Sequence, residues 1–321
     1  MRFASILRLA LVAAVLTVMS SGAAFADWRG TRDKAMQMRE AGNAAQAYQS
    51  VAGYGARSAK DINDRDFLAG FLALRGLGRA DVALAHFQAM AMSTSGLPAW
   101  QQPERRAQAG YWLGRTLDAL GRAQDARSMY VAAAAYRDTF YGQMAASQAA
   151  LDDTTSVLSG YASSYPDMEI FWYDSRIRKE LVLSIIRAES SFKQNAVSPA
   201  GAKGLMQIMD GTALRVGKAS GVNIDLSLVA ANQHYNVAVG SKLVADLLQR
   251  YGGNVLLMAA AYNAGEGKAD EWVRRFGDPR GGRIDPVDWI ELIPYGETRE
   301  YVKKIVSGYV TYIAISSGRS S

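Results

Sequence analysis

The sequence has 321 residues, a formal net charge of +6 at pH 7, two histidines and no cysteine. The missing cysteines exclude disulfides, thiol nucleophiles and cysteine-bound zinc, and two histidines leave little room for a metal cluster or a Ser-His nucleophile. We therefore expect neither a metal nor another cofactor. The length is sufficient for two domains, and the modest positive charge suits an anionic polymer without identifying one.

The N-terminal residues have the pattern of a secretory signal peptide. Arg2 and Arg8 flank the start of an apolar run over residues 9–18, and small residues lead to an A-x-A site at 24–26. The run is too short to span a bilayer, which disfavours a retained membrane anchor. We predict removal of residues 1–26 and a periplasmic protein without a transmembrane segment, with membrane or wall association left open. Nothing indicates a nucleic-acid partner.

Residues 27–151 are rich in alanine and helical in pattern, with a weak repeat. Each repeat has a glycine, then a small residue, then a bulky apolar residue: Gly42, Ala47, Val51; Gly78, Ala83, Phe87; Gly121, Ala126, Tyr130. This order is typical of tetratricopeptide-like helix pairs and predicts an α-superhelical domain. The array either braces the following domain or binds a protein or glycan. We favour bracing, because a fold alone does not establish a binding function.

Residues 152–169 are polar and include Pro166, which predicts a linker before a second domain over 170–321. Apolar residues at helical spacing predict helices over 236–251 and from Tyr301 to Ile313, and Asn254 is expected to cap a buried helix that begins at Val255. No segment has a confident strand pattern. The fold class predicted is all-α.

A single glutamate, Glu189, stands out in the second domain. It ends a helix whose apolar stripe is Leu181, Val182, Ile185 and Ile186, and its position places it on the same inward face. Burial penalises an ionised carboxylate, so its pKa is expected to be raised. A carboxyl group protonated near neutral pH is suited to protonate a glycosidic oxygen. The alternative is a solvated glutamate at a helix end, which is the more common situation.

Four blocks around Glu189 resemble the soluble lytic murein transglycosylases. In order, they are Ala188-Glu189-Ser190-Ser191-Phe192, Ser198-Pro199-Ala200-Gly201, Gly204-Leu205-Met206-Gln207-Ile208-Met209 and Ala261-Tyr262-Asn263-Ala264-Gly265, and the closing Glu297-Thr298-Arg299 with Tyr301 follows them. The resemblance covers about residues 177–315. It implies that the catalytic domain has a goose-lysozyme-like α-helical fold.

The resemblance also implies an activity and a substrate. Glu189 would act alone, first as acid and then as base, on the β-1,4 bond between N-acetylmuramic acid and N-acetylglucosamine in peptidoglycan. The muramyl 6-hydroxyl would attack C1 and leave a 1,6-anhydro end, which makes the enzyme a lyase. Peptidoglycan strands are the expected partner, and other cell-wall proteins are candidates for the N-terminal helices.

The remaining motif residues are predicted to bind substrate: Ser198, Met206, Gln207, Met209, Tyr262, Asn263, Glu297 and Tyr301. Gln207 offers both a donor and an acceptor to a sugar. For Met206 and Met209 a core role is an equal alternative, and Ser198 could instead only shape the turn before Pro199. Tyr262 and Asn263 are expected to hold an N-acetyl group or orient Glu189.

Two residues depart from the family pattern and leave alternatives open. Asp210 replaces a common proline and is expected to cap the next helix. Glu266 also replaces a proline and offers a second carboxylate, which would favour a goose-type muramidase that hydrolyses the same bond. A non-catalytic peptidoglycan-associated scaffold is a further alternative, although the retained motif residues argue against it.

Overall fold

The computed structural model describes residues 27–151, 158, 160–170 and 173–319. Within these ranges the elements are helical, and strand-type pairing is limited to two isolated bridges that join Lys203 to Val197 and to Ile208. The predicted all-α fold class is confirmed. The predicted signal peptide lies outside the described residues. None of the described helices combines the length and the apolar character needed to cross a membrane.

The chain divides into two compact units between residues 152 and 153. In the first unit, packed helix pairs follow one another and a further helix closes the series. The helices are α1 (Trp28–Glu40) with α2 (Ala44–Ala52), α3 (Ala59–Phe71) with α4 (Ala80–Ser93), α5 (Gln102–Ala119) with α6 (Ala123–Ala133), and α7 (Phe140–Gln148). Stacked helix pairs of this kind form an α-superhelix.

The weak sequence repeat marks the second helix of each pair. Gly42, Gly78 and Gly121 have positive φ angles of 83°, 66° and 73° in the turns before α2, α4 and α6. The small and bulky repeat residues are all buried: Ala47, Ala83, Ala126, Val51, Phe87 and Tyr130. A Cβ atom on Gly114 would lie 2.4 Å from the Tyr130 ring, so the glycine allows close contact between α5 and α6. The repeat spacing thus predicted these helix contacts.

The second unit contains the Glu189 helix. Its helices are α8 (Lys179–Ser190), α9 (Asp210–Ser220), α10 (Leu226–Ala231), α11 (Gln233–Arg250), α12 (Val255–Ala264), α13 (Glu266–Phe276), α14 (Pro286–Leu292) and α15 (Gly296–Arg319). The long α15 packs against α8, α12 and α14. It therefore brings together helices that are far apart in the sequence.

The contact between α8 and α15 is close and apolar. The predicted inward stripe of α8 is buried at every position: Leu181, Val182, Ile185 and Ile186. Burial of each such side chain contributes about 1.5–3 kcal/mol. The Ser184 hydroxyl donates a 3.0 Å hydrogen bond to the Ile305 carbonyl, and a Cβ atom on Gly308 would lie 2.5 Å from Ser184 Oγ. The small residue at 308 therefore permits this crossing.

Part of the predicted linker contributes to the core of the second unit. Tyr165 is 3% exposed and packs with Leu183, Tyr312 and Ile315. The Tyr312 hydroxyl donates a 2.9 Å hydrogen bond to the Pro166 carbonyl. The described residues 160–170 are therefore attached to α8 and α15, which a polar composition did not reveal.

The predicted helix caps differ in outcome. The Asn254 side chain accepts a 2.9 Å hydrogen bond from the Leu257 amide, so the predicted cap of α12 is confirmed. Asp210 is the first residue of α9 rather than its cap, and the prediction of a cap there was wrong. Its carboxylate instead pairs with Lys203 at 2.7 Å, because a lysine on the preceding loop lies within reach.

Candidate active site

Glu189 lies in the last turn of α8, where the backbone changes direction. The helix ends at Ser190, and the next two residues, Ser191 and Phe192, have positive φ angles of 49° and 63°. Such angles are uncommon for residues other than glycine and concentrate at functional sites. The chain therefore turns away immediately after Glu189, and the side chain remains partly buried at the helix end.

The surroundings of Glu189 keep its carboxyl group protonated near neutral pH. The pKa is raised to about 7; burial is the largest cause, and the negative charge of Glu297 acts in the same direction. Interaction with the Tyr301 hydroxyl acts in the opposite direction. The sequence predicted the effect of burial, whereas the contribution of Glu297 depends on the contact of α8 with the start of α15.

Two tyrosines, the buried Tyr301 and the partly buried Tyr262, flank this carboxyl group. The rings of Tyr262 and Tyr301 lie nearly parallel, with centroids 6.3 Å apart and an interplanar angle of 7°. Burial, and then the charge of Glu189, raises the pKa of both phenols well above the usual value. Both hydroxyls therefore remain protonated. The Tyr262 hydroxyl donates a 2.7 Å hydrogen bond to the Met206 carbonyl.

The Tyr301 hydroxyl is held less firmly than the Tyr262 hydroxyl. It is buried and forms no hydrogen bond with any residue that the structure describes, although it lies close enough to Glu189 to lower the pKa of that carboxyl group. The contact between Tyr301 and Glu189 is therefore looser than a full hydrogen bond. Tyr301 is thus placed to donate to Glu189 or to a substrate oxygen.

Asn263 is oriented by a residue to which the sequence assigned no role. The buried Thr298 hydroxyl donates a 2.6 Å hydrogen bond to Asn263 Oδ1. The Asn263 amide nitrogen is therefore directed away from Thr298. Nearby, Arg299 Nη1 donates to the Ile293 carbonyl at 2.6 Å and holds the segment that enters α15. These contacts explain in physical terms why Thr298 and Arg299 accompany Glu297 in the motif.

Gln207 occupies a strained loop and has limited capacity to bind substrate. Its φ angle is 47°, and its side-chain amide donates to the carbonyls of Ala196 (3.1 Å) and Gly204 (2.9 Å). An amide group offers two N–H donors and one carbonyl oxygen. The oxygen alone remains for a ligand, so Gln207 serves mainly to shape this loop.

Met206 and Met209 are placed differently. The Met206 side chain is fully buried and packs so closely on α11 that a Cβ atom on Gly240 would lie 2.5 Å from its sulfur. Its burial favours the core alternative that the sequence left open, and its contribution to the site is the carbonyl that binds Tyr262. Met209 is 42% exposed at the start of α9 and remains accessible to a ligand.

A buried asparagine that the sequence did not single out anchors the same loop. Asn236 is 1% exposed, accepts from the Met206 amide at 2.9 Å, and donates to the carbonyls of Lys203 and Val229 at 2.9 Å each. A Cβ atom on Gly204 would lie 2.4 Å from its amide nitrogen. The available signal was a polar residue on the apolar face of α11.

The other predicted residues have mixed surroundings. Ser198 Oγ accepts a 3.0 Å hydrogen bond from the Ala202 amide, so it shapes the turn, as its alternative interpretation stated. Glu297 is exposed in the first turn of α15. The structure therefore brings Glu189 together with Glu297, Tyr262 and Tyr301, whereas Ser198 and Gln207 hold the loop before α9.

Glu266 lies in a different electrostatic environment from Glu189. It begins α13, accepts a 2.8 Å hydrogen bond from Arg215 Nη1 and lies 3.9 Å from Arg250 Nε. Glu297, and not Glu266, influences the pKa of Glu189. Two arginines thus balance the negative charge of the Glu266 carboxylate. In the described part of the chain, no group of three or more histidine, aspartate or glutamate side chains is arranged to hold a metal.

Comparison with known proteins gives a match over the same segment. Residues 172–282 match the family model described as Transglycosylase SLT domain. The chain is 35% identical over 132 residues to the soluble lytic murein transglycosylase of Escherichia coli (strain K12), covering 41% of this chain and 20% of that protein. It is 28% identical over 164 residues to membrane-bound lytic murein transglycosylase F of Thiobacillus denitrificans, covering 49% and 34%. The chain thus spans only a minor part of these curated relatives.

Solved structures resemble a larger part of the chain. The X-ray structure of an inactive mutant of lytic transglycosylase Slt from Pseudomonas aeruginosa matches with a TM-score of 0.63 and 21% identity, covering 89% of this chain and 57% of that one. A complex of the 70-kDa soluble lytic transglycosylase with bulgecin A gives 0.51 and 22%, covering 91% and 52%. The shared fold is an α-superhelical domain followed by a lysozyme-like α-helical domain, as predicted. Over residues 172–282 of its second unit, the chain is thus similar to the transglycosylase SLT domain family.

Proposed function

We propose that this chain is a lytic transglycosylase that cleaves the β-1,4 bond between N-acetylmuramic acid and N-acetylglucosamine in peptidoglycan and leaves 1,6-anhydromuramic acid ends. One observation carries the proposal. Glu189 has a pKa raised to about 7, chiefly by burial, and lies beside two protonated tyrosines in a segment that matches the SLT domain model. The relatives named as murein transglycosylases support the substrate class.

The proposed reaction uses Glu189 twice. In the first half, the protonated carboxyl gives its proton to the glycosidic oxygen as the bond from that oxygen to C1 breaks. In the second half, the resulting carboxylate takes the proton of the muramyl 6-hydroxyl as its oxygen bonds to C1. The proton returned to Glu189 restores the starting state, and no water is consumed. A pKa near the working pH suits both halves.

The surrounding residues supply orientation in this scheme. Tyr301 donates to Glu189 when it is ionised, which limits the cost of a buried carboxylate. Asn263, fixed by Thr298, directs its amide N–H toward a sugar carbonyl or hydroxyl. Exposed Met209 offers an apolar surface for a sugar face. Peptidoglycan strands are thus the proposed partner.

Digestion of sacculi in ¹⁸O-labelled water tests this proposal against hydrolysis. We expect released muropeptides to end in 1,6-anhydro sugars that contain no ¹⁸O, as measured by mass spectrometry. Reducing ends with ¹⁸O at C1 would mean that water is the nucleophile and would refute the lyase. In that case Glu297 is the first candidate for a base, because its charge influences Glu189.

Two substitutions complete the test. Glu189→Gln removes the proton donor without changing size, and we expect activity to fall by at least the roughly 10²–10⁴-fold that acid catalysis contributes. Glu266→Gln removes the carboxylate that pairs with Arg215, and we expect nearly unchanged activity. Near-normal turnover of Glu189→Gln with unchanged circular dichroism would disprove the assignment. Loss of activity in Glu266→Gln as well as in Glu189→Gln would support the alternative in which Glu266 is a second catalytic carboxylate.

We further propose that the enzyme acts in the periplasm after removal of residues 1–26, and that the first unit braces or positions the second. The murein substrate supports the location, since peptidoglycan lies outside the cytoplasmic membrane. Fusion of residues 1–26 to a periplasmic reporter, followed by N-terminal sequencing, tests the cleavage after Ala26. An uncleaved or cytoplasmic reporter would contradict it.

A further inference from the structure

A pocket of about 450 Å³ lies in the second unit, beside the Glu189 helix. Its walls come from α8 and the residues after it, from α15, and from Ser164 and Pro166 of the segment that packs on both helices. On α8 the lining residues are Ser184, Arg187 and Ala188, which lie at helical spacing on one face, and Ser191 lines the pocket directly after the helix ends. Glu189 is not a lining residue and lies nearly opposite Arg187 around the helix. The pocket is thus separate from the catalytic carboxyl.

The pocket carries positive charge that is not compensated. Arg187 and Lys304 line it from different helices, and among the described residues neither forms an ion pair with a carboxylate. The nearby acidic residues are engaged elsewhere, since Asp167 pairs with Lys179 at 2.9 Å and Glu300 lies 3.3 Å from Lys303. Two unpaired cations at one concave surface attract an anionic ligand.

The Arg187 guanidinium is held in place rather than free to move in solvent. Its carbon atom lies 4.1 Å from the centroid of the Tyr165 ring, and Tyr165 itself packs in the core between α8 and α15. A cation over an aromatic ring is stabilised electrostatically. A fixed guanidinium plane presents its donors in the fork geometry that binds a carboxylate through two hydrogen bonds.

The other walls combine polar and apolar surface. Ser191 provides a hydroxyl, while Phe192 and Pro166 provide apolar contacts. Phe192 also packs on the buried cluster that contains Tyr165. A single inorganic anion fills only a small part of 450 Å³, whereas pockets of about 300–1,000 Å³ with mixed walls hold organic ligands. The ligand therefore needs both anionic and aliphatic groups.

We propose that this pocket binds a short acidic peptide, with its carboxylates on Arg187 and Lys304 and its aliphatic parts against Phe192 and Pro166. Two sources share this chemistry: the peptide stem of peptidoglycan, which rests on the function proposed above, and a free acidic peptide. Bound peptide would contact Ser191 and Phe192, which follow Glu189 by two and three residues. Stem binding would then add affinity for peptide-bearing strands.

Calorimetric titration of the full chain with acetyl-alanyl-glutamyl-alanine tests the binding directly. The matched peptide has glutamine and a C-terminal amide, and so lacks both carboxylates. We expect the acidic peptide to bind at least about tenfold more tightly, because hydrogen bonds to charged groups are stronger than those between neutral groups. Equal affinities of the two peptides, or full competition by inorganic phosphate at equal concentration, would overturn the proposal.

Substitutions locate the binding. Lys304→Gln should weaken the acidic peptide about tenfold, and Lys304 is exposed, so the fold should not change. Lys218→Gln, an exposed lysine at the end of α9, removes the same charge outside the pocket and should have no effect. Arg187→Gln should weaken binding at least as much, with circular dichroism checking the loss of its Tyr165 contact. Unchanged affinity in Lys304→Gln and Arg187→Gln would refute the pocket as the site.

Comparison of two substrates distinguishes the sources. If the stem occupies the pocket, Lys304→Gln should cleave strands that carry stems less efficiently than the unsubstituted chain does. Strands from which an amidase has removed the stems should be cleaved equally well by both proteins. If Lys304→Gln cleaves both kinds of strand as well as the unsubstituted chain does, although it no longer binds the peptide, the ligand is a free peptide. The titration does not depend on turnover, so a chain without transglycosylase activity would refute the proposed function and leave the peptide site in place.

Discussion

The Tyr262 and Tyr301 rings stack nearly parallel at an interplanar angle of 7° beside the Glu189 carboxyl group. They come from α12 and α15, which pack against each other while α8 supplies the glutamate. The tyrosines act differently on the site. Tyr262 is fixed by its hydrogen bond to the Met206 carbonyl. The Tyr301 hydroxyl forms no full hydrogen bond with the described residues, and it lowers the pKa of Glu189.

The elevated pKa of Glu189 predicts how stability depends on pH. The folded pKa of about 7 exceeds the ordinary value of 4.5, so between these values the folded state binds more protons than the unfolded state. Stability should therefore fall as pH rises from about 4.5 through about 7. Glu189→Gln removes this dependence, and at pH 8 should be more stable by up to about 3 kcal/mol.

Urea unfolding at pH 4 and pH 8 measures this difference. Glu189→Gln and the unsubstituted chain should have nearly equal free energies of unfolding at pH 4, where Glu189 is mostly protonated in both the folded and the unfolded state. Glu266→Gln serves as the control. The Glu266 carboxylate is paired with Arg215, so its removal should not make the chain more stable at pH 8. A Glu189→Gln variant that is less stable at pH 8 than the unsubstituted chain would contradict the assigned burial penalty.

Neighbours of Glu189 should shift the pH profile of activity in opposite directions. The first proton transfer needs protonated Glu189, so kcat/KM should fall as pH rises through its pKa. Tyr301→Phe removes an interaction that lowers this pKa and should move the alkaline limb to higher pH. Glu297→Gln removes a charge that raises the pKa and should move the limb to lower pH, with several-fold lower activity at pH 8.

Initial rates on soluble glycan fragments between pH 5 and pH 9 give the alkaline limb of the pH profile for each variant. Tyr301→Phe is also expected to lower the maximal rate, because it loses a donor beside the acid. The direction of the limb is therefore the decisive readout. Shifts of the same sign in both variants would show that Glu297 and Tyr301 do not act on Glu189 as described.

Thr298 is expected to act as a positioning residue. Thr298→Val keeps the shape but removes the 2.6 Å hydrogen bond to Asn263, so the amide is no longer fixed. We expect about a tenfold lower kcat/KM, equivalent to about 1.4 kcal/mol, and recovery in Thr298→Ser, which retains the hydroxyl. Kinetics on soluble fragments, together with thermal melting, separate positioning from a loss of stability.

A matched variant exists in the same helix. Thr311 is also buried, and its hydroxyl donates to the Ser307 carbonyl at 2.9 Å. Thr311→Val should change the melting temperature by a comparable amount without changing kcat/KM. Equal activity losses in Thr298→Val and Thr311→Val would show that Thr298 has only a structural role.

The core position of Tyr165 predicts where the second unit can be separated. A fragment of residues 158–321 retains Tyr165, whereas one of residues 169–321 loses it and exposes part of Leu183 and Tyr312. Loss of a buried aromatic side chain costs about 3–5 kcal/mol. We expect the longer fragment to fold and cut soluble glycan, and the shorter one to melt at lower temperature or aggregate.

Circular dichroism melting of both fragments measures the difference. Tyr165→Ala in the full chain should reproduce most of the loss, since it removes the same side chain without removing the segment. An insoluble longer fragment would mean that the two units depend on each other for folding. Equal melting of the two fragments would show that residues 158–168 contribute nothing to the core.

The sequence by itself determined the features that depend on local spacing. The apolar stripe of α8 fixed Glu189 at a buried helix end, and the glycine-alanine repeat fixed the helix pairs of the first unit. These follow from periodicity, because residues three or four apart on a helix share a face. The raised pKa of Glu189 followed from the same pattern, since burial is its largest cause.

Only the tertiary structure decided the features that join distant parts of the chain. It placed the charge of Glu297, and not that of Glu266, within reach of Glu189, and it buried Met206 and Tyr165. It also left Arg187 facing a pocket. Periodicity shows which face of a helix is buried but not which other helix covers it. Those outcomes depend on the crossing of α8, α12 and α15, which is set by side-chain packing between segments far apart in sequence.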